Sequence, residues 1–121
     1  MEGNEFRDEE LSRLISDEYA GKILSATYKH PMSVQQVSRE CVIPIAVAYR
    51  RMAKMEEFGL VKCVGFEEVY RGKKVSYYEC AVNMAKVTFN AGKFDLEINF
   101  LPESELSHVG NAPVIDGTED A

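Results

Sequence analysis

The sequence predicts an α+β domain, with its helices first and its strands after. Up to Phe58 apolar residues recur at helical spacing, and beyond Gly59 they alternate with polar ones in the two-residue rhythm of strands. Capping side chains, prolines and glycines fall where one element must stop and the next begin.

Residues 1–15 place Phe6, Leu11, Leu14 and Ile15 among charges, which predicts an acidic helix or arm with loose apolar spacing. Ser16-Asp17-Glu18 then supplies a helix start: a capping side chain followed by acids that suit the positive end of the helix dipole. Tyr19, Ile23, Leu24 and Thr27 give this helix one apolar face, and His30-Pro31 stops it near Lys29. Ser33 and Gln36 fit a capping box, opening a short helix with Val34, Val37 and Cys41 on one face. After a break of about four residues, Pro44 suits the first turn of a helix over 44–58, where its missing N–H leaves nothing unpaired. Gly59 can close that helix in the left-handed conformation.

Leu60 to Tyr70 and Val75 to Val82, rich in Val, Tyr, Phe and Cys, flank Arg71-Gly72-Lys73-Lys74 and predict a hairpin with a basic tip. A second hairpin follows over 85–101. With Ala91-Gly92 as a two-residue turn, Phe89 faces Phe94, Val87 faces Leu96 and Lys86 faces Glu97. One face is then wholly apolar and needs a cover. From Pro102 the composition predicts a disordered acidic tail over 102–121. The expected plan is an arm at 1–15, a main domain at 16–84, the extra hairpin and the tail.

Composition narrows the function. A chain of 121 residues, 45% hydrophobic and 28% charged, suits one soluble globular domain. No apolar run approaches the roughly 20 residues that span a bilayer, and the acidic start cannot serve as a secretory signal. A cytoplasmic location without membrane contact is expected. Cys41, Cys63 and Cys80 are an odd count without CxxC spacing, which predicts free thiols rather than a disulfide framework or a zinc site. Cys63 and Cys80 share strand parity, which leaves a redox or thiol-metal role open. His30 and His108 sit near no second ligand type. No metal, no cofactor and no catalytic residue is predicted, because no nucleophile–base pair or phosphate loop is present; the chain is not expected to be an enzyme. The net charge of −6 divides unevenly: residues 1–20 carry −5, 21–100 carry +4 and 101–121 carry −5. A mildly basic middle between acidic ends keeps phosphate binding open.

Two short helices around a tight turn, the second entered at Pro44 and closed by Gly59-Leu60-Val61, then a basic-tipped hairpin, form a helix-turn-helix with a wing. At about 100° per residue, Ile45, Ala48, Met52 and Met55 gather inward on the third helix of that core. Arg50 points the opposite way between Ala46 and Ala53, with Tyr49 and Lys54 on the shoulders. Small neighbours let a helix lie close in a groove, where a guanidinium can grip guanine or phosphate bidentately. Val47 is placed to meet a thymine methyl or a protein partner. Arg51 lies nearer the core edge, within reach of Glu40 or Glu56. Ser33 and Gln35 offer a phosphate the first turn of the preceding helix. Arg71, Lys73 and Lys74 would reach the backbone or the minor groove.

Residues 32–38, Ile43-Pro44 and the run Tyr49 to Val61 carry a resemblance that spans about 16–82. The chain resembles the ArsR-like winged-helix regulators, especially the small archaeal ones. The resemblance implies a winged helix-turn-helix fold, a three-helix core plus a β-wing, here with an extra C-terminal β-hairpin. It implies sequence-specific binding of double-stranded operator DNA by a homodimer. Metal sensing, common in that family, is not carried over, because its paired cysteines or histidine–carboxylate cluster are missing. The second hairpin stands where the family has a dimerisation helix, and its apolar face is the candidate dimer surface. The alternative function is a winged-helix protein–protein interaction module of the transcription or replication machinery.

Overall fold

Helix-start chemistry and turn geometry divide the described residues into four helices and two antiparallel hairpins, an α+β arrangement. The computed structural model describes residues 2–107 and 109–110. Helix α1 covers Glu2–Ile15 and α2 covers Glu18–Lys29, with the Asp17 carboxylate accepting the Ala20 N–H at 3.0 Å as the cap between them. Ala20, Ile23 and Thr27 form the buried stripe of α2. Thr27 satisfies its buried hydroxyl by donating to the Ile23 carbonyl at 2.7 Å. His30, extended and exposed, ends α2. Met32 then exchanges two backbone hydrogen bonds with Tyr78, at 2.9 and 2.8 Å, tying the helical layer to the sheet.

Helix α3 spans Val34–Cys41 and opens with the full capping box of Ser33 and Gln36. It ends on Val42, left-handed at φ 56° and 81% exposed. A β-branched residue there is strained, since its side chain crowds the backbone at a cost of about 1–2 kcal/mol. Val42→Gly is expected to raise stability by about 1 kcal/mol, read as a melting temperature several degrees higher. Helix α4 covers Ile45–Glu57. Pro44 stands one place earlier than expected, as the extended cap residue outside the first turn. Gly59 closes the helix at φ 80°, as its position predicted.

Strands β1, Val61–Tyr70, and β2, Lys73–Cys80, are joined by the two-residue turn Arg71-Gly72, both left-handed. The expected four-residue tip is therefore shorter, and Lys73 and Lys74 lie on β2. Strands β3, Val82–Asn90, and β4, Lys93–Phe100, turn through Ala91-Gly92 in the same way. Their register pairs Phe89 with Phe94, Val87 with Leu96 and Lys86 with Glu97, the expected pairing, and the two phenylalanine rings sit 4.9 Å apart. The hairpin begins at Val82 rather than at 85, because only Ala81 separates it from β2. Ala81 bonds both ways, its N–H to Leu60 and its carbonyl to the Leu101 N–H.

One core runs through the helices and the base of both hairpins, with Ile23, Met52, Met55 and Leu60 fully buried. Helix α1 packs against β4, and Leu14, Ile15, Leu96 and Ile98 all lie against that core. The apolar hairpin face, expected to need a cover and offered as the dimer surface, is thus covered along its inner part within the chain, while Phe89, Phe94 and Phe100 stay exposed. The tail also departs from expectation. Glu103–Glu105 form a 3-10 turn, Leu106 is buried, and β5, Val109–Gly110, pairs parallel with β1 at Gly65 and Phe66. Glu79, only 9% exposed, anchors this segment by accepting from the Ser107 backbone N–H at 2.6 Å and hydroxyl at 3.1 Å. A buried carboxylate requires such donors, and a single leucine supplies the apolar hold. Disorder is therefore not the state of 102–107 and 109–110; the rest of the expected tail lies outside the described residues. No helix among the described residues is long and apolar enough to cross a membrane.

Candidate nucleic-acid interface

The two faces of α4 define the site. Ala48, Met52 and Met55 are buried, while Ala46, Tyr49, Arg50 and Ala53 are exposed. Arg50 sits two residues, about 200°, from Met52 and so points directly away from the core. Ile45 and Val47 exchange their expected places: Ile45 is 45% exposed and Val47 packs against the core.

Two of the expected contact residues are held by the protein itself. Arg51 grips Asp17 bidentately, Nε to Oδ2 at 2.9 Å and Nη2 to Oδ1 at 3.2 Å, rather than Glu40 or Glu56. Lys54 turns toward α1, 3.4 Å from Glu10 and 3.9 Å from Glu57. Asp17 therefore serves two elements, capping α2 and fastening α4. The hydrogen bond from Arg51 is the main cause that holds its carboxyl below the ordinary 3.8, with burial opposing and the Ala20 N–H assisting. A depressed carboxyl contributes stability that is complete above its unfolded value and is lost as pH falls through its folded value. Asp17→Asn, which can still cap, is expected to cost about 1 kcal/mol at pH 7 and less at pH 2. Thermal melts across that range check it, and equal losses at both pH values would refute the linkage.

Ser33 is buried and its hydroxyl accepts the Gln36 N–H at 3.2 Å, so the side chain is committed to the cap. Gln35 is exposed, and its amide donates to the Tyr49 hydroxyl at 2.9 Å, joining the first turn of α3 to the outer face of α4. These two and Lys74 border a shallow cleft of about 170 Å³, with Val34, Val75, Ser76 and Tyr78 completing its walls. Sequence reasoning missed Ser76 and Tyr78. The signal was present, because Lys74, Ser76 and Tyr78 alternate and so share one face of β2. Burial raises the Tyr78 hydroxyl above its ordinary value, so near neutral pH it remains a donor.

The cations of the first hairpin are arranged along aromatic rings. The Arg71 guanidinium lies 5.2 Å from the Tyr70 ring centre, and Lys74 Nζ lies 4.8 Å from that of Phe66. Ion pairs occupy Lys22, Arg51, Lys54 and Lys62. Among the described residues none occupies Arg50, Arg71, Lys73 or Lys74. The structure thus brings Gln35, Ala46, Tyr49, Arg50 and Lys74 around one exposed surface, places Arg71 and Lys73 at the hairpin's far end, buries Ser33, packs Val47 against the core, and engages Arg51 and the exposed Lys54 in ion pairs within the chain.

Cys63 lies opposite Tyr78 and Cys80 opposite Val61, both thiols free. Burial raises the Cys80 thiol, an unreactive setting. No group of three or more His, Cys, Asp or Glu among the described residues is arranged to hold a metal ion. No protein-family model matches the chain, and no curated protein matches it.

Proposed function

We propose that the chain is a winged helix-turn-helix regulator of the ArsR-like type, binding a specific double-stranded DNA site as a homodimer. Helices α3 and α4 are its helix-turn-helix, with α4 entering the major groove, and the β1–β2 hairpin is its wing. The observation that carries this reading is Arg50: exposed, flanked by Ala46 and Ala53, free of any ion pair among the described residues, and set directly opposite the buried Met52. Alanine neighbours remove the bulk that would hold a helix off the groove floor, and a guanidinium is the side chain best matched to guanine. Gln35, Tyr49 and Lys74 stand beside it as donors for the phosphate backbone. Arg71 and Lys73, at the far end of the hairpin, supply further cations for the phosphate backbone. A dimer places two copies of α4 one helical turn apart, which makes the expected operator a pseudo-palindrome.

Selection of binding fragments from randomised duplex DNA, then anisotropy titration of the winning sequence, tests the proposal. Enrichment of a two-fold symmetric motif, bound more tightly than scrambled DNA, is the expected result. No enrichment, or equal affinity for scrambled sequence, would overturn it.

A second reading draws on Val42 and Ile45, both large, apolar and exposed beside the start of α4. These are poor contacts for phosphate and good ones for protein, so a partner of the transcription or replication machinery would seat there. Under that reading Ile45→Asp abolishes partner capture while Arg50→Ala leaves it intact.

A further inference from the structure

We propose that two copies of the chain pair through α2, antiparallel about a two-fold axis level with Leu24 and Ser25, each Tyr28 seated over the other copy's Gly21. The pairing stands on the fold alone; its service to DNA binding rests on the function proposed above.

The surface is an open, largely apolar groove of about 610 Å³ between α2 and the start of β3. Gly21, Leu24, Ser25 and Tyr28 form one side, and Val82 and Met84 stand on the other. It shares no residue with the exposed surface around Arg50, so filling it leaves the outer face of α4 free. The second hairpin offers less, because α1 already occupies the inner part of its apolar face.

Gly21 is the residue that the fold itself does not require. Glycine weakens a helix, and a fold keeps it where φ is positive or where another group approaches the backbone closely. Gly21 is helical, and a Cβ placed on it meets nothing within 4 Å. Seven residues on, Tyr28 is 53% exposed. At 3.6 residues per turn, seven residues return to within about 20° of the same direction, roughly 10 Å farther along the axis. The gap and the ring therefore share one face, and their midpoint falls between Leu24 and Ser25. An antiparallel copy turned about that midpoint sets each ring over the other's gap. A two-fold contact demands this self-complementarity, whereas an unrelated partner would need only half of the match.

Charge selects the same orientation. Glu18 opens α2 and Lys29 closes it. Lys29 forms no ion pair among the described residues, and the well-exposed Glu18 is paired at 3.8 Å with Lys22. In the antiparallel pair Lys29 of one copy lies level with Ala20 of the other, about 3 Å along the axis from Glu18. Both side chains leave on the same flank of the contact, so each end of the pair joins a lysine to a glutamate. A parallel pair would set Glu18 against Glu18 and Lys29 against Lys29, which is unfavourable.

Light scattering after size exclusion, on the full chain and its variants, tests the pairing. A dimer is expected for the unaltered chain at micromolar concentration. Gly21→Leu, for which there is open space, is expected to give a monomer that still unfolds cooperatively, and the exposed change Tyr28→Ala to do the same. Lys29→Glu should weaken the dimer about tenfold, and Lys29→Glu combined with Glu18→Lys should restore it. An unaltered chain that stays monomeric, or Gly21→Leu and Tyr28→Ala chains that stay dimeric, overturns the pairing whether or not DNA binds. A double exchange that restores nothing overturns the antiparallel orientation. The Gly21→Leu monomer should bind the selected duplex about 100-fold more weakly, since two linked sites become one. A monomer that binds as tightly as the dimer overturns the pairing's role in DNA binding. A dimer undone by Gly21→Leu in a protein that selects no duplex overturns the proposed function and supports the pairing.

Discussion

Arg50→Ala is expected to lower affinity for the selected duplex by about 10- to 100-fold while leaving the melting temperature within a degree or two. A bidentate arginine–guanine contact discriminates by about 1–3 kcal/mol, and its loss removes preference for the operator over scrambled DNA. Stability should hold, because Arg50 is exposed and bonded to nothing that the fold needs among the described residues, and such surface changes usually stay within about 0.5 kcal/mol. Arg50→Lys should rescue little, since an ammonium has charge without the two-pronged geometry. The hairpin supplies the contrast. Lys73→Ala should weaken binding to operator and scrambled duplex alike and reduce the salt slope by about one, the signature of a lost phosphate contact. Anisotropy titrations of the two variants at several salt concentrations separate base reading from charge. Unchanged affinity in Arg50→Ala would sink the major-groove assignment of α4, because no other cation on its exposed face is free of an ion pair among the described residues.

Local chemistry was legible in the sequence, and partnership across the chain was not. The Asp17 cap, the Ser33–Gln36 box and the Ala91-Gly92 turn depend on residues at most four apart, so spacing alone located them. The second hairpin's register followed from its turn, because a two-residue turn leaves only one pairing that keeps every apolar residue on one face. Arg51 was misassigned because its partner, Asp17, lies 34 positions away while two glutamates lay closer in sequence. The docking of Lys54 on α1 and of Ser107 on Glu79 has the same cause: both need to know which elements touch. The tail misled for a different reason. Its composition is that of a solvated chain, yet one leucine and one buried acceptor hold Leu106 and Ser107 against the fold. For the candidate site, exposure of Arg50 followed from helical phase, whereas the cleft with Ser76 and Tyr78 required β2 to be set beside α4.

Met52→Ala is the complementary experiment on the same helix. Met52 is 1% exposed in the core that joins α4 to the other helices, and truncating a buried methionine costs about 2–5 kcal/mol in lost transfer energy and residual cavity. For a chain of this length about 3 kcal/mol corresponds to a fall of roughly 10 °C in melting temperature. The same substitution should leave affinity for duplex nearly unchanged wherever the protein remains folded. Arg50 projects from the opposite side, and the ion pair of Arg51 with Asp17 and that of Lys54 with Glu10 still fix the orientation of α4. Affinity that fell in step with stability would mean that core packing sets the angle at which α4 is presented. The orienting role assigned to those two ion pairs would then pass to the methionines beneath them.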